Sequence, residues 1–384
     1  MICVDCRYIR KRPSGIGVVL QELIQRLPAL IGNEPLLLLK HPEAVDRLSD
    51  APNVREQVVS QEANGPATMW WLPRVVDLRG VDLYYSASNT LPHGLSMATV
   101  VTVCDVMWIK HPRWARSTGA WGRIETSYYQ HGIWRALRKA TRICTISEAS
   151  KDEIRSVHEP AGARTTVIRE GVSTEFHPIR GEQQREHAAE VIERLAPGAR
   201  RWVLTVGQFA PYKNHERIVR AFGRAFPADN GVHLVLVQRL GEGSRVLGPI
   251  ARMLGIEARV HFLQGLSLSD LAALYRGAAC VCHASLYEGF GNALAEGMAS
   301  GVPVVTSNRS SMPEVCGDAA LFVDPEDVDD IARALRVAVT DEPTASRLRR
   351  DGEARAGQMS WDAYAEQYAH VFREVLADRR SGRV

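Results

Sequence analysis

A chain of 384 residues is too long for one ordinary core, so two domains are the default, and 45% hydrophobic with 24% charged residues is a soluble globular composition. The absence of any run of about eighteen apolar residues excludes a membrane-spanning helix. A net charge of only +3 excludes a chain that is strongly basic or acidic as a whole. The N-terminus enters directly into Ile2-Cys-Val-Asp5, an apolar strand rather than a signal peptide, so export is not expected. Seven cysteines, an odd number scattered through apolar runs, fit reduced thiols in the cytoplasm.

Ile2-Cys-Val-Asp5 reads as the first strand. On a strand Cys3 and Cys6 face opposite sides, which argues against a redox or zinc pair. Arg10-Lys-Arg-Pro-Ser-Gly-Ile-Gly17 reads as a loop leading into a helix that ends near residue 30. Gly15 and Gly17 give half a dinucleotide fingerprint, since Leu20 stands in place of a third glycine. Residues 36–39 form a second buried strand. Residues 50–68 are polar and irregular and read as loop, followed by Trp70-Trp71 as a candidate for exposed contact with a membrane or partner. Apolar runs at 81–85, 99–103 and 141–146 alternate with helical segments, the pattern of a parallel sheet. Asp105 falls at the C-terminal end of its strand, where open α/β sheets place ligands; a turn or helix cap is the other reading. Ser147 and Ser150 suit a cap for the helix that follows.

Charge is unevenly placed. From Cys104 to Arg142 there are eight basic residues (Lys110, Arg113, Arg116, Arg123, Arg135, Arg138, Lys139 and Arg142) against Asp105 and Glu125, a local net of +6. Trp108, Trp114, Trp121, Trp134, Tyr128 and Tyr129 are interleaved. Such a mixture suits anionic headgroups or nucleic acid, and equally a solvated helical face whose aromatics are core.

In the second half, residues 182–195 read as a helix ahead of a second sheet. Strands are predicted at 202–206, 233–237, 259–263, 279–282 and 302–305, with helices at 214–226, 244–254 and 269–275. The βαβ order again means a doubly wound sheet. Residues 361–377 form an amphipathic closing helix. Asp327-Val-Asp329 has the letters of a metal-binding Asp-x-Asp, but it opens a helix, where acids cap the dipole.

The stretch around which these elements are organised is His283-Ala-Ser-Leu-Tyr-Glu288-Gly-Phe-Gly-Asn-Ala-Leu-Ala-Glu296. An apolar strand precedes it and a helix-favouring run follows. Gly289 and Gly291 let a ligand approach the turn closely, and the N–H groups of Gly291, Asn292 and Ala293 open a helix N-terminus suited to an anion. Glu288 in the turn and Glu296 within the helix flank that anion site. The pattern alone also fits an ordinary βα turn with two surface glutamates.

Glu288 and Glu296, set in Glu-Gly-Phe-Gly-Asn-Ala-Leu-Ala-Glu, resemble the signature of retaining GT-B glycosyltransferases of family 4. Thr205-Val-Gly-Gln-Phe-Ala-Pro-Tyr-Lys-Asn214 resembles that family's phosphate-lysine segment, and Phe262-Leu-Gln-Gly265 with Leu271-Ala-Ala-Leu-Tyr275 its base-binding strand and next helix. Gly301-Val-Pro-Val-Val305 and Met312-Pro-Glu-Val-Cys-Gly317 resemble the strand and loop after the signature. In the first half Ser14-Gly-Ile-Gly17, Val101-Thr-Val-Cys-Asp105 and Ile146-Ser-Glu-Ala-Ser150 are looser matches. Relatives often carry His-Asp where this chain has Cys104-Asp105, and arginines where it has Gln208 and Tyr212.

The resemblance implies two doubly wound, Rossmann-like α/β domains facing a central cleft. Residues 1–175 would bind acceptor, 176–360 would bind nucleotide-sugar, and 361–384 would return to the first domain. It implies a retaining, metal-independent hexosyltransferase, with mannose from GDP-mannose as first choice, acting on a glycan or lipid-linked saccharide. A UDP-sugar donor, a GT-B sugar-nucleotide epimerase and a non-catalytic nucleotide-sugar-binding protein are the alternatives. Lys213, Glu288 and Asp105 would be catalytic. The donor would be held by Gly15, Gly17, Gly207, Gln208, Lys213, Gln264, Gly265, Glu288, Gly289, Phe290, Gly291, Asn292, Ala293 and Glu296. In that scheme Glu288 holds sugar hydroxyls, Glu296 the ribose, and the backbone near Gln264 and Gly265 the base. No cofactor, no metal and no nucleic acid is expected. The location would be cytoplasmic, with peripheral contact at the inner face of the cell membrane.

Overall fold

The computed structural model describes residues 1–11, 15–44, 47–115, 119–227, 229, 231–238 and 243–383. Ser14 of the Ser14-Gly-Ile-Gly17 motif and Arg116 of the basic segment lie outside the described residues. The chain divides into two compact units, Met1–Gly171 with Ser360–Val384, and Val172–Met359.

The first unit holds a seven-stranded sheet: β1 (Ile2–Asp5), β2 (Leu36–Lys40), β3 (Val54–Val58), β4 (Leu83–Ser86), β5 (Ala98–Thr102), β6 (Arg142–Thr145) and β7 (Thr165–Val167). Their order is β3-β2-β1-β4-β5-β6-β7, and every pairing is parallel. Parallel strands are covered on both faces and therefore read as continuous apolar runs, of which Leu36–Lys40 is the plainest case. Cys3 packs with Leu37, Leu39 and Tyr84 on one face, whereas Cys6 joins Val4, Leu38 and Tyr85 on the other. All seven cysteines are free.

The structure departs from the sequence expectations at three places. The stretch 50–68 is not simply loop: Val54–Val58 pairs with β2 as an edge strand, and the helix Pro66–Val75 begins before its end. The polar sequence of Val54–Val58 hid it, because an edge strand is half solvated. Gly15 and Gly17 stand in the first turn of the helix Gly15–Leu30, not in the loop before it. Met312–Cys316 is a short helix rather than loop.

The closing helix Trp361–Arg380 belongs to the first unit, where Tyr364, Tyr368, Phe372, Val375 and Leu376 are buried in its core. Burying each such side chain contributes roughly 1.5–3 kcal/mol. Thr102 Oγ1 bridges Tyr85 and Tyr368 at 2.8 and 2.7 Å, so the buried phenols are satisfied. Gly171 passes so close that a Cβ there would lie 2.4 Å from the Trp361 nitrogen.

The second unit holds β8 (Arg201–Val206), β9 (Val232–Val237), β10 (Val260–Leu263), β11 (Cys280–His283), β12 (Val304–Ser307) and β13 (Ala320–Val323). All pair in parallel in the order β10-β9-β8-β11-β12-β13. Chain order reverses between β8 and β11, so a crevice at their C-terminal ends is the place where such sheets take ligands. The helix predicted at 182–195 is present as Glu182–Leu195.

Candidate active site

Two loops leave the sheet at that switch point. After β8 the chain makes a single 3-10 turn, Pro211–Lys213, and enters the helix His215–Ala225. After β11 it turns through residues 284–291 into the helix Asn292–Ala299. Tyr212 O accepts from Leu286 N at 2.7 Å, which ties the loops together. Asn214, in a left-handed conformation at φ 60°, donates its side-chain amide to Ala284 O at 2.9 Å and to Pro325 O at 2.7 Å. One buried amide thus fastens the loops that follow β8, β11 and β13.

This brings Lys213 and Glu288 into contact. Lys213 Nζ lies 2.8 Å from Glu288 Oε1 and 3.0 Å from Oε2. His283 Nε2, at the end of β11, lies 2.6 Å from the same Oε1. Glu288 is buried, and burial alone would raise its pKa. The charge of Lys213 and the contact with His283 outweigh that and hold the carboxyl well below its ordinary 4.5. Burial opposes the charge of Lys213 too, but Glu288 raises its pKa overall. His215, beside them and stacked on Phe209, has its pKa pushed down to about 3 by burial, then by His283 and Lys213. The stem of Lys213 packs over Gly207, where an added Cβ would lie 3.6 Å from its Cδ and Cε. Gln208 Nε2 donates to Tyr212 Oη at 3.0 Å, so these two neutral residues bond to each other.

The signature loop is pinned from below. Ser310 Oγ and Ser311 Oγ donate to Glu288 O at 2.6 and 3.0 Å, and Ser311 Oγ also lies 3.0 Å from Phe290 O. Phe290 is buried. Gly289 is partly buried between Glu288 and Phe290. Gly291 adopts φ 102°, a left-handed turn that glycine accepts without strain, and caps the helix carrying Asn292 and Ala293 in its first turn. Further along that helix Glu296 Oε2 accepts a hydrogen bond from Tyr275 Oη at 2.7 Å. Here burial wins over the hydrogen bond, and the carboxyl of Glu296 is raised above its ordinary value. Gln264 is exposed just past β10, and Gly265 takes φ 68°.

The remaining candidates belong to the first unit. Gly15 and Gly17 open a helix, and Asp105 sits half-buried beyond β5, accepting from Met107 N at 3.0 Å. That bond closes a short turn of the chain ahead of Met107–Lys110, whose N-cap is Val106. Asn89 Oδ1 accepts from Cys104 N at 2.7 Å, and Ser150 Oγ donates to Cys104 O at 2.8 Å. Ser147 caps the helix Glu148–Val157 by accepting from Ser150 N. Asp327 accepts from Asp329 N and Asp330 N, so the Asp-x-Asp is a helix cap. At the β1 end, Arg7 is fully buried against Asp5 at 2.8 and 2.6 Å, with Tyr84 Oη on Asp5 and Thr68 Oγ1 on Arg7. Sequence reading did not find this group, because Thr68 and Tyr84 arrive from distant segments.

In the basic segment several aromatics are packed: Trp108 stacks on Tyr129 and Arg138 lies over Trp134. Trp121, at 77% exposure, and Ile124 face outward, as do Trp70 and Trp71, with Trp70 edge-on to Tyr128. Among the described residues no helix is long and apolar enough to cross a membrane.

Residues 189–355 match the family model Glycosyl transferases group 1, and residues 13–176 match Glycosyltransferase Family 4. The chain is 26% identical over 377 residues to O-antigen chain mannosyltransferase B of Escherichia coli, a match covering 94% of this chain and 96% of that protein. It is 29% identical over 296 residues to the MMP alpha-(1->4)-mannosyltransferase of Mycolicibacterium hassiacum, covering 75% of this chain and 65% of that protein. The crystal structure of WaaG, a glycosyltransferase involved in lipopolysaccharide biosynthesis, is similar with a TM-score of 0.74 at 15% identity, over 97% of this chain and 99% of that one. At that identity the likeness speaks for the fold. The chain therefore belongs to the glycosyltransferases of GT-B fold, with its first half in family 4 and its second in group 1.

Proposed function

We propose that the protein is a retaining hexosyltransferase that moves mannose from GDP-mannose to a glycan or lipid-linked saccharide, without a divalent metal. The observation that carries this reading is the Lys213–Glu288 pair at the β8/β11 switch point. A nucleoside diphosphate leaves with growing negative charge. Lys213 supplies a cation for it, and the N-termini of His215–Ala225 and Asn292–Ala299 supply oriented N–H groups. Glu288 holds sugar hydroxyls and Glu296 the ribose. The leaving phosphate itself takes the acceptor proton in a front-face attack, so Asp105 serves as a sugar or acceptor contact rather than a base. Metal independence is supported by the Asp-x-Asp, whose first carboxylate is committed to capping. Mannose is supported by the mannosyltransferases to which the chain is similar.

We further propose peripheral attachment to anionic membrane on the cytoplasmic side, through Trp70, Trp71 and Trp121 with the neighbouring arginines. The test of the main reading is incubation with labelled GDP-mannose and UDP-sugars, with and without membrane extract, in excess chelator. Transfer from GDP-mannose with retained anomeric configuration is expected. Conversion of donor without acceptor means an epimerase, and nucleotide binding with no turnover means a non-catalytic binder.

A further inference from the structure

We infer that His283 is a positioning residue: it keeps Glu288 ionised and aimed at the donor sugar when Lys213 turns to the diphosphate. The inference rests on the proposed reaction and concerns a side chain to which that reaction gives no part. Its starting point is a conflict of duties at Lys213. Lys213 Nζ spans both oxygens of Glu288, at 2.8 and 3.0 Å. The same ammonium is the cation that a diphosphate would draw, and a diphosphate carries more negative charge than a carboxylate. As Lys213 turns toward phosphate, Glu288 loses its principal counter-charge in a buried place. An unpaired buried carboxylate takes up a proton or swings away, and either change spoils a hydroxyl acceptor.

His283 is the partner that cannot follow the phosphate. It closes β11, is buried to 3% exposure, and its carbonyl accepts from Thr306 Oγ1 at 2.9 Å on the neighbouring strand. Its Nε2 lies 2.6 Å from Oε1 of Glu288, a short donor–carboxylate distance. The ring therefore fixes Oε1 and leaves Oε2, the oxygen that Lys213 held at 3.0 Å, to accept from the sugar. The carbonyl of Glu288 is already fixed by Ser310 and Ser311, so backbone and one carboxylate oxygen are both set before the donor arrives. Among the described residues, the other ionisable groups near this point include Lys213, His215 and Tyr212, whose ring centre lies 5.4 Å from Lys213 Nζ. His215 stays neutral, with its pKa pushed down to about 3, and adds no competing charge.

The experiment compares His283→Leu, His283→Gln and His283→Asn for kcat, KM, nucleoside-diphosphate affinity and the acid limb of the rate profile. Glutamine places an amide N–H near the position of Nε2, whereas asparagine stops short of it. Loss of a charge-assisted hydrogen bond in the reacting complex lowers kcat by roughly 10- to 100-fold. His283→Leu and His283→Asn should show that loss, with the affinity for GDP or UDP within about twofold of the parent, because His283 touches no phosphate. His283→Gln should recover most of the rate. The acid limb should move to higher pH in the leucine variant, since His283 is one of the groups that lower the Glu288 pKa. If the leucine variant fails to fold, the glutamine and asparagine pair decides alone. Unchanged kcat in His283→Asn, or a glutamine variant as slow as asparagine, overturns the positioning role. A parent protein that transfers nothing from any nucleotide-sugar defeats the proposed reaction itself, a separate result obtained before any variant is compared.

Discussion

Tyr275 Oη donates to Glu296 Oε2 across 2.7 Å, a neutral partner too weak to offset burial, and the two signature glutamates therefore diverge. Glu288 has cationic and imidazole partners and is held below the ordinary glutamate range; Glu296 accepts from a neutral phenol, and burial lifts it above. The same residue type, eight positions apart, is driven in opposite directions by its neighbours. A firmly charged group suits sugar hydroxyls beside a diphosphate. A carboxylate with a neutral partner suits exchange of that partner for a ribose.

The first prediction concerns Glu288→Gln. Transfer should fall by at least about tenfold, the order of one charge-assisted hydrogen bond, while nucleotide binding persists. Stability gives a second readout. Because the folded-state pKa of Glu288 is depressed, its ionisation stabilises the fold above the ordinary value of 4.5, and that contribution is lost as the pH falls further. The acid-side decline in denaturant midpoint should therefore be shallower in Glu288→Gln than in the parent. Parallel declines and unchanged transfer would defeat the assignment.

Lys213→Ala should lose kcat by about a hundred- to a thousandfold, as when one preorganised stabiliser of a departing anion is removed. Lys213→Arg should recover part of it, since either cation can face phosphate. Both measurements belong in excess chelator. Wild-type activity abolished by chelator and restored by magnesium or manganese would transfer this work from Lys213 to a metal.

Much of this site was legible because it is local in sequence. The lysine segment follows a plain apolar strand, and the glutamate pair brackets a glycine turn and the start of a helix. What joins them was not legible. His283 stood at the head of the signature stretch, yet nothing in its position says that its ring reaches forward to Glu288. Tyr275 was visible as the end of a helix, but its bond to Glu296 spans two elements. The edge strand Val54–Val58 lacked an apolar run, and the short strands Thr165–Val167 and Ala320–Val323 offered too few residues for a pattern. Arg7 and Asp5 lie two residues apart, but only the returning segments with Thr68 and Tyr84 make that pair a buried network.

Gly171→Ala should destabilise the first unit. The added methyl would stand 2.4 Å from the Trp361 nitrogen and 2.7 Å from its ring, and neither backbone nor a buried indole can give way cheaply. Overpacking of this kind costs about 1–3 kcal/mol. A fall in the thermal midpoint of several degrees is expected, at roughly 2–4 °C per kcal/mol for a unit of this size. Gly15→Ala, in a helix and with nothing within 4 Å of the added carbon, is the control and should not lower the midpoint.

Cosedimentation with vesicles checks the membrane proposal. The protein should bind anionic vesicles at low salt and release as salt rises, because the electrostatic part is screened. Trp121→Ala and Trp71→Ala, both changes at exposed rings, should weaken binding without altering the fold. Indifference of the parent protein to anionic vesicles at low salt would mean that the basic face is only solvated.

The single amide of Asn214 reaches two carbonyls on separate loops, at Ala284 and Pro325. For anyone wishing to re-engineer the donor preference, this sets the unit of exchange. Transplanting the glutamate loop alone would leave Asn214 facing a foreign carbonyl, and grafting the lysine loop alone would strand two acceptors. A chimaera that preserves this crevice has to keep the spacing of the segments after β8, β11 and β13, since Asn214 reaches a backbone carbonyl on each of the latter two. A loop exchanged alone that shifts either carbonyl leaves a buried donor unmet, at a cost of about 1–3 kcal/mol.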